Sequence, residues 1–263
     1  CAEYAGVASE FHLLLAFLPT EDASCSPMPP LDGVFLGIAM MLATAFVAAV
    51  ARAFADTDPH RQRRATGFAL LGTAAWLGLT GWAASSGWLS FDGKLPTMIL
   101  LFGAVFAIGI GTGVSSVGGR IATRVPLAYL VAVQGFRFPL EFVMYRAYFE
   151  GLMPVQMSFA GRNWDVVTGG TAIVLAFVLA FGKLTPRTTK WLVGGWSALG
   201  IALLINVVVI ALLSAPTPMR YFQNEPANVW ITQFPWVWLP AVMVLSAIMG
   251  HVLILRRLSL VER

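Results

Sequence analysis

The chain carries seven long apolar segments, each close to the length that a helix needs to cross a lipid bilayer. About 20 mostly apolar residues span the hydrocarbon core, and a helix satisfies its own backbone groups where water is absent. We therefore expect an all-α fold, a polytopic transmembrane helix bundle that forms one domain over residues 28–263. The expected spans are residues 31–54, 66–89, 96–117, 126–149, 166–182, 191–213 and 234–255.

The composition excludes a soluble globular class. Hydrophobic residues make up 58% of the 263 residues and charged residues only 11%, against about 25% charged in a typical soluble domain. The basic residues lie in short loops, not in a patch with interleaved aromatic residues, so a nucleic-acid partner is not expected. The expected partner is the lipid bilayer, and no cofactor is expected.

The distribution of Lys and Arg predicts the orientation. Twelve of the 17 basic residues fall in loops on one side and three on the other, with Arg137 and Arg146 inside or at the end of the fourth segment. Short cytoplasmic loops collect positive charge. This asymmetry predicts an N-terminus outside and a C-terminus in the cytoplasm.

Residues 1–27 form an extension whose status the sequence leaves open. The apolar stretch 11–18 is too short to span, and it follows Glu3 and Glu10 instead of basic residues, which is untypical of a secretory signal peptide. Either the native chain starts at Met28, or Cys1 and Cys25 can pair in an extracytoplasmic tail, or Cys1 is a lipidated terminus.

A polar stripe runs through the fourth apolar segment. Gln134, Arg137, Glu141, Tyr145 and Tyr148 recur at spacings of three or four, so they share one face of a helix. Arg137 and Glu141 are one turn apart and can bridge each other. Ionisable groups at membrane depth are costly and often functional.

Arg137 is expected near the middle of the bilayer, about 16 Å from the start of its helix at Pro126. Pro139 removes one backbone donor, which predicts a kink and a free carbonyl at Gly135. Two interpretations stay open for the charged pair. It is a ligand or ion site, or it is a structural salt bridge that joins neighbouring helices.

Two outer loops add further polar candidates. Gly161-Arg162-Asn163 stands just before the fifth helix, where free backbone donors can hold an anionic or carbonyl group, and Asn163 or Asp165 can cap that helix. If the loops fold together, they would form a polar lid over Gln134, Arg137 and Glu141. The expected lid residues are Arg162, Asn163, Asn224, Glu225 and Asn228.

Several standard sites are not expected. There is no HExxH, GxSxG or SxxK motif, no lysine within a span for a Schiff base, and no cysteine set for a metal. A single histidine near the end of a span, such as His251, is more often a packing or interface residue than a ligand. An acid–base role is the alternative. Gly109 and Gly113 form a small-xxx-small pair, which predicts close helix packing.

Two stretches carry recognisable strings. The first contains Gln134-Gly-Phe-Arg137 and Glu141, then Glu150-Gly-Leu-Met-Pro154-Val-Gln-Met157 and Gly161-Arg162-Asn163-Trp164-Asp165. The second contains Asn224-Glu-Pro-Ala-Asn228 and Phe234-Pro-Trp-Val-Trp-Leu-Pro240, and ends in His251. Over residues 127–257 these strings resemble an uncharacterised family of bacterial polytopic integral membrane proteins. The resemblance implies a multi-pass protein of the bacterial cytoplasmic (inner) membrane and brings no activity with it.

Three functional hypotheses follow. The first is binding or transport of a small polar or anionic solute, or of protons, through an outward-opening polar centre, with Arg137 fixing the anion or partner charge and Glu141 responding to protons. The second is a non-catalytic scaffold or sensor subunit with a protein partner or a second copy of itself. The third is a membrane-embedded enzyme acting on a lipid-linked substrate, with Glu141, Asp165 and His251 as its acid–base groups.

Overall fold

A computed structural model describes residues 31–91 and 97–260, and the expectations for residues 1–27 lie outside these ranges. The described part consists of helices and connections, with no β-strand among its residues. Nine α-helices follow in order: α1 Leu31–Ala53, α2 Pro59–Ser85, α3 Thr97–Val114, α4 Ser116–Arg124, α5 Leu127–Val133, α6 Arg137–Phe149, α7 Asp165–Phe181, α8 Pro186–Leu213 and α9 Leu245–Leu260. Short 3-10 turns cover Gln134–Phe136, Val155–Met157 and Trp230–Thr232, and a π-helical segment, Leu239–Val244, leads into α9.

Within residues 31–91 and 97–260, six helical stretches are long and apolar enough to cross a membrane. They are α1, α2, α3, the stretch Leu127–Phe149 formed by α5 and α6, α8, and the stretch Leu239–Leu260 that ends in α9. The fifth expected span is the shorter apolar helix α7, with 17 residues. The all-helical expectation is therefore confirmed for the described residues, and six of the seven expected spans have full length.

Two helices begin earlier than the apolar pattern predicts because a cap precedes them. Asp58 accepts the backbone N–H groups of His60 and Arg61 at 2.9 and 3.3 Å, and Pro59 occupies the first turn of α2. Thr185 accepts the N–H of Thr188 at 3.1 Å at the start of α8, ahead of Pro186. Each cap satisfies backbone donors that a helix N-terminus leaves free.

The helix α9 is the centre of the packing. It lies against α3, α8, α4 and α5, while α7 packs on α5 and α6 and α2 packs on α1. Gly113 faces Val252 and Gly109 faces the Leu245 carbonyl and Ile248, so close that larger residues have no room at Gly113. The close packing predicted from this glycine pair is confirmed.

Charged side chains hold the end of the bundle where the loops are rich in arginine. Arg256 Nη1 donates to the carbonyl oxygens of Gly113 and Ser115 at 2.9 and 2.6 Å. Arg257 Nη1 donates to those of Ala122 and Thr123 at 3.1 and 2.6 Å. Cations stabilise the free carbonyls at helix C-termini, so these contacts tie α9 to the ends of α3 and α4.

The fourth span is interrupted one turn before Pro139. A 3-10 turn, Gln134–Phe136, separates α5 from α6. Pro139 cannot donate to the Gly135 carbonyl, and the tighter turn is a common local response to a lost helical bond. The interruption fits the kink that the sequence predicts and places Arg137 at the first position of α6.

The helix α7 begins deep inside the bundle. Gly169 packs on the backbone of Phe138, and Gly135 packs on Ile173. The segment 135–138 and α7 therefore run antiparallel, and the same register places Asp165 near the level of Phe142. On this side the rest of α6, about 10 Å long, faces the loop 150–164 instead of α7, while another side of α6 packs on α1. Phe159 of that loop stacks on Tyr145 with ring centroids 4.4 Å apart.

Candidate functional site

Arg137 pairs with Asp165 and not with Glu141. Its Nη1 lies 2.8 Å from Asp165 Oδ1, which corrects the expected bridge between residues one turn apart. The expectation rested on helical spacing, but α7 brings a second carboxylate to the same depth. The pair is nearly sealed from solvent, with side chains 1% and 8% exposed.

Arg137 also connects three helices. The same Nη1 donates to the carbonyl oxygen of Gly200 in α8 at 3.2 Å. Its Nε and Nη2 have no hydrogen-bond partner among residues 31–91 and 97–260. One guanidinium therefore joins α6, α7 and α8, and its Nε and Nη2 donors stay unpaired within those ranges.

Glu141 is held by an amide instead of a cation. Asn163 Nδ2 donates to Glu141 Oε1 at 2.7 Å and to the Met157 carbonyl at 3.0 Å. Asn163 Oδ1 accepts the backbone N–H of Asp165 at 3.1 Å. Asn163, expected in a lid over the bundle, is instead fully buried at the start of α7, where it satisfies one free donor of that helix.

The polar centre, which we define as Arg137, Glu141, Asn163 and Asp165, holds more acid than base. It contains one guanidinium and two carboxyl groups. Glu141 Oε2 has no partner in the described part of the chain. An unpaired carboxylate is costly in a low-dielectric interior, although the N-terminus of α7 offers a partial positive charge nearby.

A small cavity adjoins the polar centre. Its volume is about 40 Å³, which is enough for one or more water molecules. Arg137, Glu141 and Asp165 form its polar wall, and its other lining side chains are apolar, among them Met157 and Met243. The cavity is too small for an organic solute in this conformation.

A second buried pair lies on the other side of Gly200. His251 Nδ1 lies 2.9 Å from Ser197 Oγ, and its ring lies against Trp196 at a centroid distance of 5.5 Å. Gly200 packs directly on the His251 ring. His251 is 1% exposed, so it lies in the interior, at a packing position, which was one of its two expected roles.

Gln134 is buried between α5 and α9. Its Nε2 donates to the Ser246 carbonyl at 3.4 Å, and it packs closely on Gly250. Within the described ranges its Oε1 has no hydrogen-bond partner. Gln134 thus lies about one turn before Arg137 on the same helical face, but its hydrogen bond goes to α9.

The two outer loops meet through Asn224, a residue of the expected lid, and through Gln156 and Ser214, which the sequence analysis did not select. Asn224 Nδ2 donates to Gln156 Oε1 at 2.9 Å, and Gln156 Nε2 donates to Ser214 Oγ at 2.8 Å. We call Gln156, Ser214 and Asn224 the loop clasp. Arg162 adds a cation–π contact, with its Cζ 5.5 Å from the Phe222 ring centroid.

The remaining candidates of the expected lid have separate roles. Asn228 is buried and donates to the Ala211 carbonyl at 2.9 Å. Glu225 is exposed, accepts from Arg220 Nη2 at 3.0 Å and from the Ala227 N–H at 2.8 Å. Those two hydrogen bonds hold the pKa of Glu225 below its usual range. Neither residue contacts the polar centre.

Tyr145 and Tyr148 do not join the polar centre either. Tyr145 stacks on Phe159 and meets Phe149 edge-to-face, and Tyr148 packs against the apolar core. The helical stripe predicted them on the same face, but the loop 150–164 covers the upper part of that face with aromatic side chains. Only the part of the face that carries Gln134, Arg137 and Glu141 stays polar.

Sequence reasoning missed Gly200, which accepts from Arg137, and Ser197, which pairs with His251. It also missed Gln156 and Ser214 of the loop clasp. Ser197 and Gly200 stand in an apolar helix without a charged neighbour, and Gln156 and Ser214 stand in or beside loops. A lone Ser in a span was the available signal for Ser197. In the described part of the chain, no group of three His, Cys, Asp or Glu side chains is arranged to hold a metal ion.

The comparison with protein families covers most of the helical bundle. Residues 94–259 match the family model described as Domain of unknown function (DUF8737). The chain belongs to this family. The DUF8737 match includes α3 to α9 and with them every residue of the polar centre and the loop clasp. No curated protein and no solved structure matches the chain.

Proposed function

We propose that this DUF8737 protein binds protons at Glu141 and moves them across a membrane. The observation that carries the proposal is the pairing at the polar centre. Asp165 compensates the charge of Arg137. Glu141 is left with an amide partner and with one oxygen, unpaired among the described residues, beside the cavity. A carboxyl group in this setting becomes neutral most simply by taking up a proton.

A proton fits this centre better than a small anionic solute. The Arg137 charge is already compensated by Asp165 at 2.8 Å, so an anion at the Nε and Nη2 donors, which are free among the described residues, would add negative charge to a centre that already holds two carboxyl groups. The cavity of about 40 Å³ admits water. Water, Glu141 and the buried Ser197–His251 pair offer groups that accept and release protons without a large conformational change.

The proposed topology has seven spans with the arginine-rich end in the cytoplasm, as in a bacterial inner membrane. Support comes from the loop charges and from α7, which is apolar and antiparallel to α5. Non-helical backbone at membrane depth is tolerated where protein buries it. The loop 150–164 meets that condition, with Met153, Met157 and Asn163 at most 1% exposed.

The test is proton movement in reconstituted vesicles. Protein in vesicles with an internal pH-sensitive dye is given a pH gradient, and valinomycin with potassium compensates charge. We expect internal pH to change faster than in protein-free vesicles, and Glu141→Gln to return the rate to the protein-free value. The new amide keeps an oxygen for Asn163, so the fold is retained.

A matched control is Glu150→Gln, which removes an exposed carboxylate 3.0 Å from Arg146. It should leave the rate unchanged. The infrared carbonyl band of a protonated carboxylic acid reports binding separately and should disappear in Glu141→Gln alone. Equal rates for the wild type and Glu141→Gln, together with an unchanged band, would overturn the proposal.

A structural role is the second candidate, favoured by the contacts of Arg137 to three helices. Under that interpretation the centre holds α6, α7 and α8 together and the protein serves as a scaffold. Glu141→Gln would then lower the thermal stability, and the wild type would not raise the proton rate above that of protein-free vesicles.

A further inference from the structure

A long cleft separates α2 from α3 on the far side of α9 from the polar centre. It has a volume of about 690 Å³, within the range of ligand-binding pockets. α2 packs mainly on α1, and α3 mainly on α9, so the space between them stays open. The cleft is lined by residues of α1, α2, α3 and the Leu239–Leu260 stretch, among them Phe46, Ala69, Gly72, Trp76, Gly111 and Leu245.

The length of the cleft matches one leaflet of a bilayer. Along α2 it extends from Ala65 to Leu77, a rise of about 18 Å, and the hydrocarbon core of one leaflet is about 15 Å deep. Trp76 Nε1 donates to the Ala241 carbonyl at 2.8 Å near the deep end and ties α2 to the π-helical segment there. An extended apolar ligand that enters from the other end would therefore stop near mid-membrane.

The shallow end of the cleft is basic. Ala65 lines the cleft, and Arg61 lies one turn before it on the same face of α2. Arg120 covers the ring of the lining residue Phe54 at 4.8 Å. Arg256 bonds the carbonyl of Ser115, also a lining residue.

Acidic residues at this end do not cancel that charge. Asp56 is shared by Arg124 at 2.7 Å and Arg120 at 3.8 Å, and Asp58 caps α2. The four arginines Arg61, Arg120, Arg124 and Arg256 outnumber these two carboxylates.

From this geometry we propose that the cleft is a binding groove for one acyl chain of an anionic glycerophospholipid whose headgroup lies at the arginines. We call it the acyl groove. The apolar lining excludes a polar ligand, the length fits a chain of one leaflet, and the charge selects an anionic headgroup. Because Ser246 lines the groove and its carbonyl accepts a hydrogen bond from Gln134, the bound chain lies against the stretch Leu239–Leu260, which on another face lines the cavity beside the polar centre.

The first test fills the groove. Gly72 and Gly111 both line it, and a side-chain carbon added at either meets no atom within 4 Å, so the side chains of Gly72→Phe and Gly111→Phe start in open space. Each ring displaces about two methylene groups of the chain, which weakens retention by about tenfold. Gly103→Phe on α3 is the matched control, because Gly103 is equally unhindered but lies outside the groove lining.

The measurement is native mass spectrometry of the full chain after delipidation and titration with phosphatidylglycerol or phosphatidylcholine. We expect one tightly held phosphatidylglycerol in the wild type and in Gly103→Phe, and about tenfold weaker retention in each groove variant. Arg61→Gln should lower the preference for phosphatidylglycerol over phosphatidylcholine by about fivefold. Size-exclusion profiles identify any variant that fails to fold.

Equal retention in Gly72→Phe, Gly111→Phe and Gly103→Phe would overturn the proposal, because lipid would then bind only the general surface of the bundle. Equal affinity for the two lipids in the wild type would overturn the headgroup assignment. Retention of a free fatty acid in place of a phospholipid would do the same. The readout is independent of proton movement, so the proposed function and the acyl groove can fail separately.

Discussion

Arg137 and Asp165 are 28 positions apart in the sequence, yet their side chains meet at 2.8 Å inside the bundle. The contact exists because α7 starts at the depth of Phe142 and presents its first carboxylate to α6. Broken helices that end inside a membrane protein often direct their termini at charged groups. Here the terminus of α7 brings Asn163 and Asp165 to Glu141 and Arg137.

Asp165→Ala should strongly destabilise the protein, because it leaves Arg137 buried without its counter-charge. Removing one partner of a buried pair costs about 3–5 kcal/mol. Unfolding in detergent, followed by circular dichroism, measures the loss. Glu150→Ala is the control, since its exposed pair with Arg146 contributes about 0.5 kcal/mol. Similar losses for the two variants would contradict a tightly coupled pair.

Gly169→Ala tests the close approach of α6 and α7. A side-chain carbon at Gly169 would collide with the backbone of Phe138, whereas one at Gly170 meets the Phe138 ring at an ordinary 3.5 Å. Overpacking costs about 1–3 kcal/mol, so the melting temperature should fall for Gly169→Ala and stay nearly constant for Gly170→Ala. The reverse order would show that the helices cross elsewhere.

Much of the fold could be predicted from the sequence because apolar length is a strong signal in a membrane. The bounds of α1 and of the stretch Leu127–Phe149 agree with the prediction within one residue at each end. The last span was placed five residues too early, at 234 instead of Leu239. Aromatic and proline residues before Leu239 are apolar enough to extend the predicted span, but they form turns.

The site was harder to predict because its partners come from different helices. Periodicity groups residues of one helix, so it joined Arg137 to Glu141 and included Tyr145, and it could not show which face α7 or a loop would cover. Asn163 and Asp165 were selected as capping residues. The N-cap of α7 is Trp164; Asn163 lies one residue earlier, and its side chain accepts the N–H of Asp165. Its bond to Glu141 depends on the depth at which α7 begins.

Ser197→Ala should destabilise the protein moderately by leaving His251 Nδ1 without its partner at 2.9 Å. A buried polar atom that loses its hydrogen bond costs about 1–3 kcal/mol. Chemical unfolding in detergent gives the change, with Ser259→Ala as control, because the Ser259 hydroxyl bonds only the nearby Arg256 carbonyl in an exposed position. An identical small effect in both variants would mean that the His251 pair contributes nothing to stability.

The outer loop should loosen in acid through Glu225. Hydrogen bonds from Arg220 and Ala227 lower the pKa of Glu225, so its contribution is present above the ordinary Glu range near pH 4.3 and is lost as pH falls through the lower folded value. Amide exchange of Ala227, corrected for the intrinsic pH dependence, should lose protection there. Glu225→Gln should be less protected at neutral pH and nearly independent of pH. A wild-type protection profile that stays flat in acid would contradict this role.

The loop clasp should control access to the interior. Gln134 is fully buried, so Gln134→Cys, with Cys1 and Cys25 changed to Ser, should react slowly with a membrane-impermeant thiol reagent, while an exposed Ser86→Cys control reacts at once. Adding Asn224→Ala removes the bond to Gln156 at 2.9 Å. A loss of about 1 kcal/mol raises the open population, and hence the labelling rate, about fivefold. Gln223→Ala changes the same loop without touching Gln156, so equal acceleration by both variants would assign the access to general loop loosening instead of the clasp.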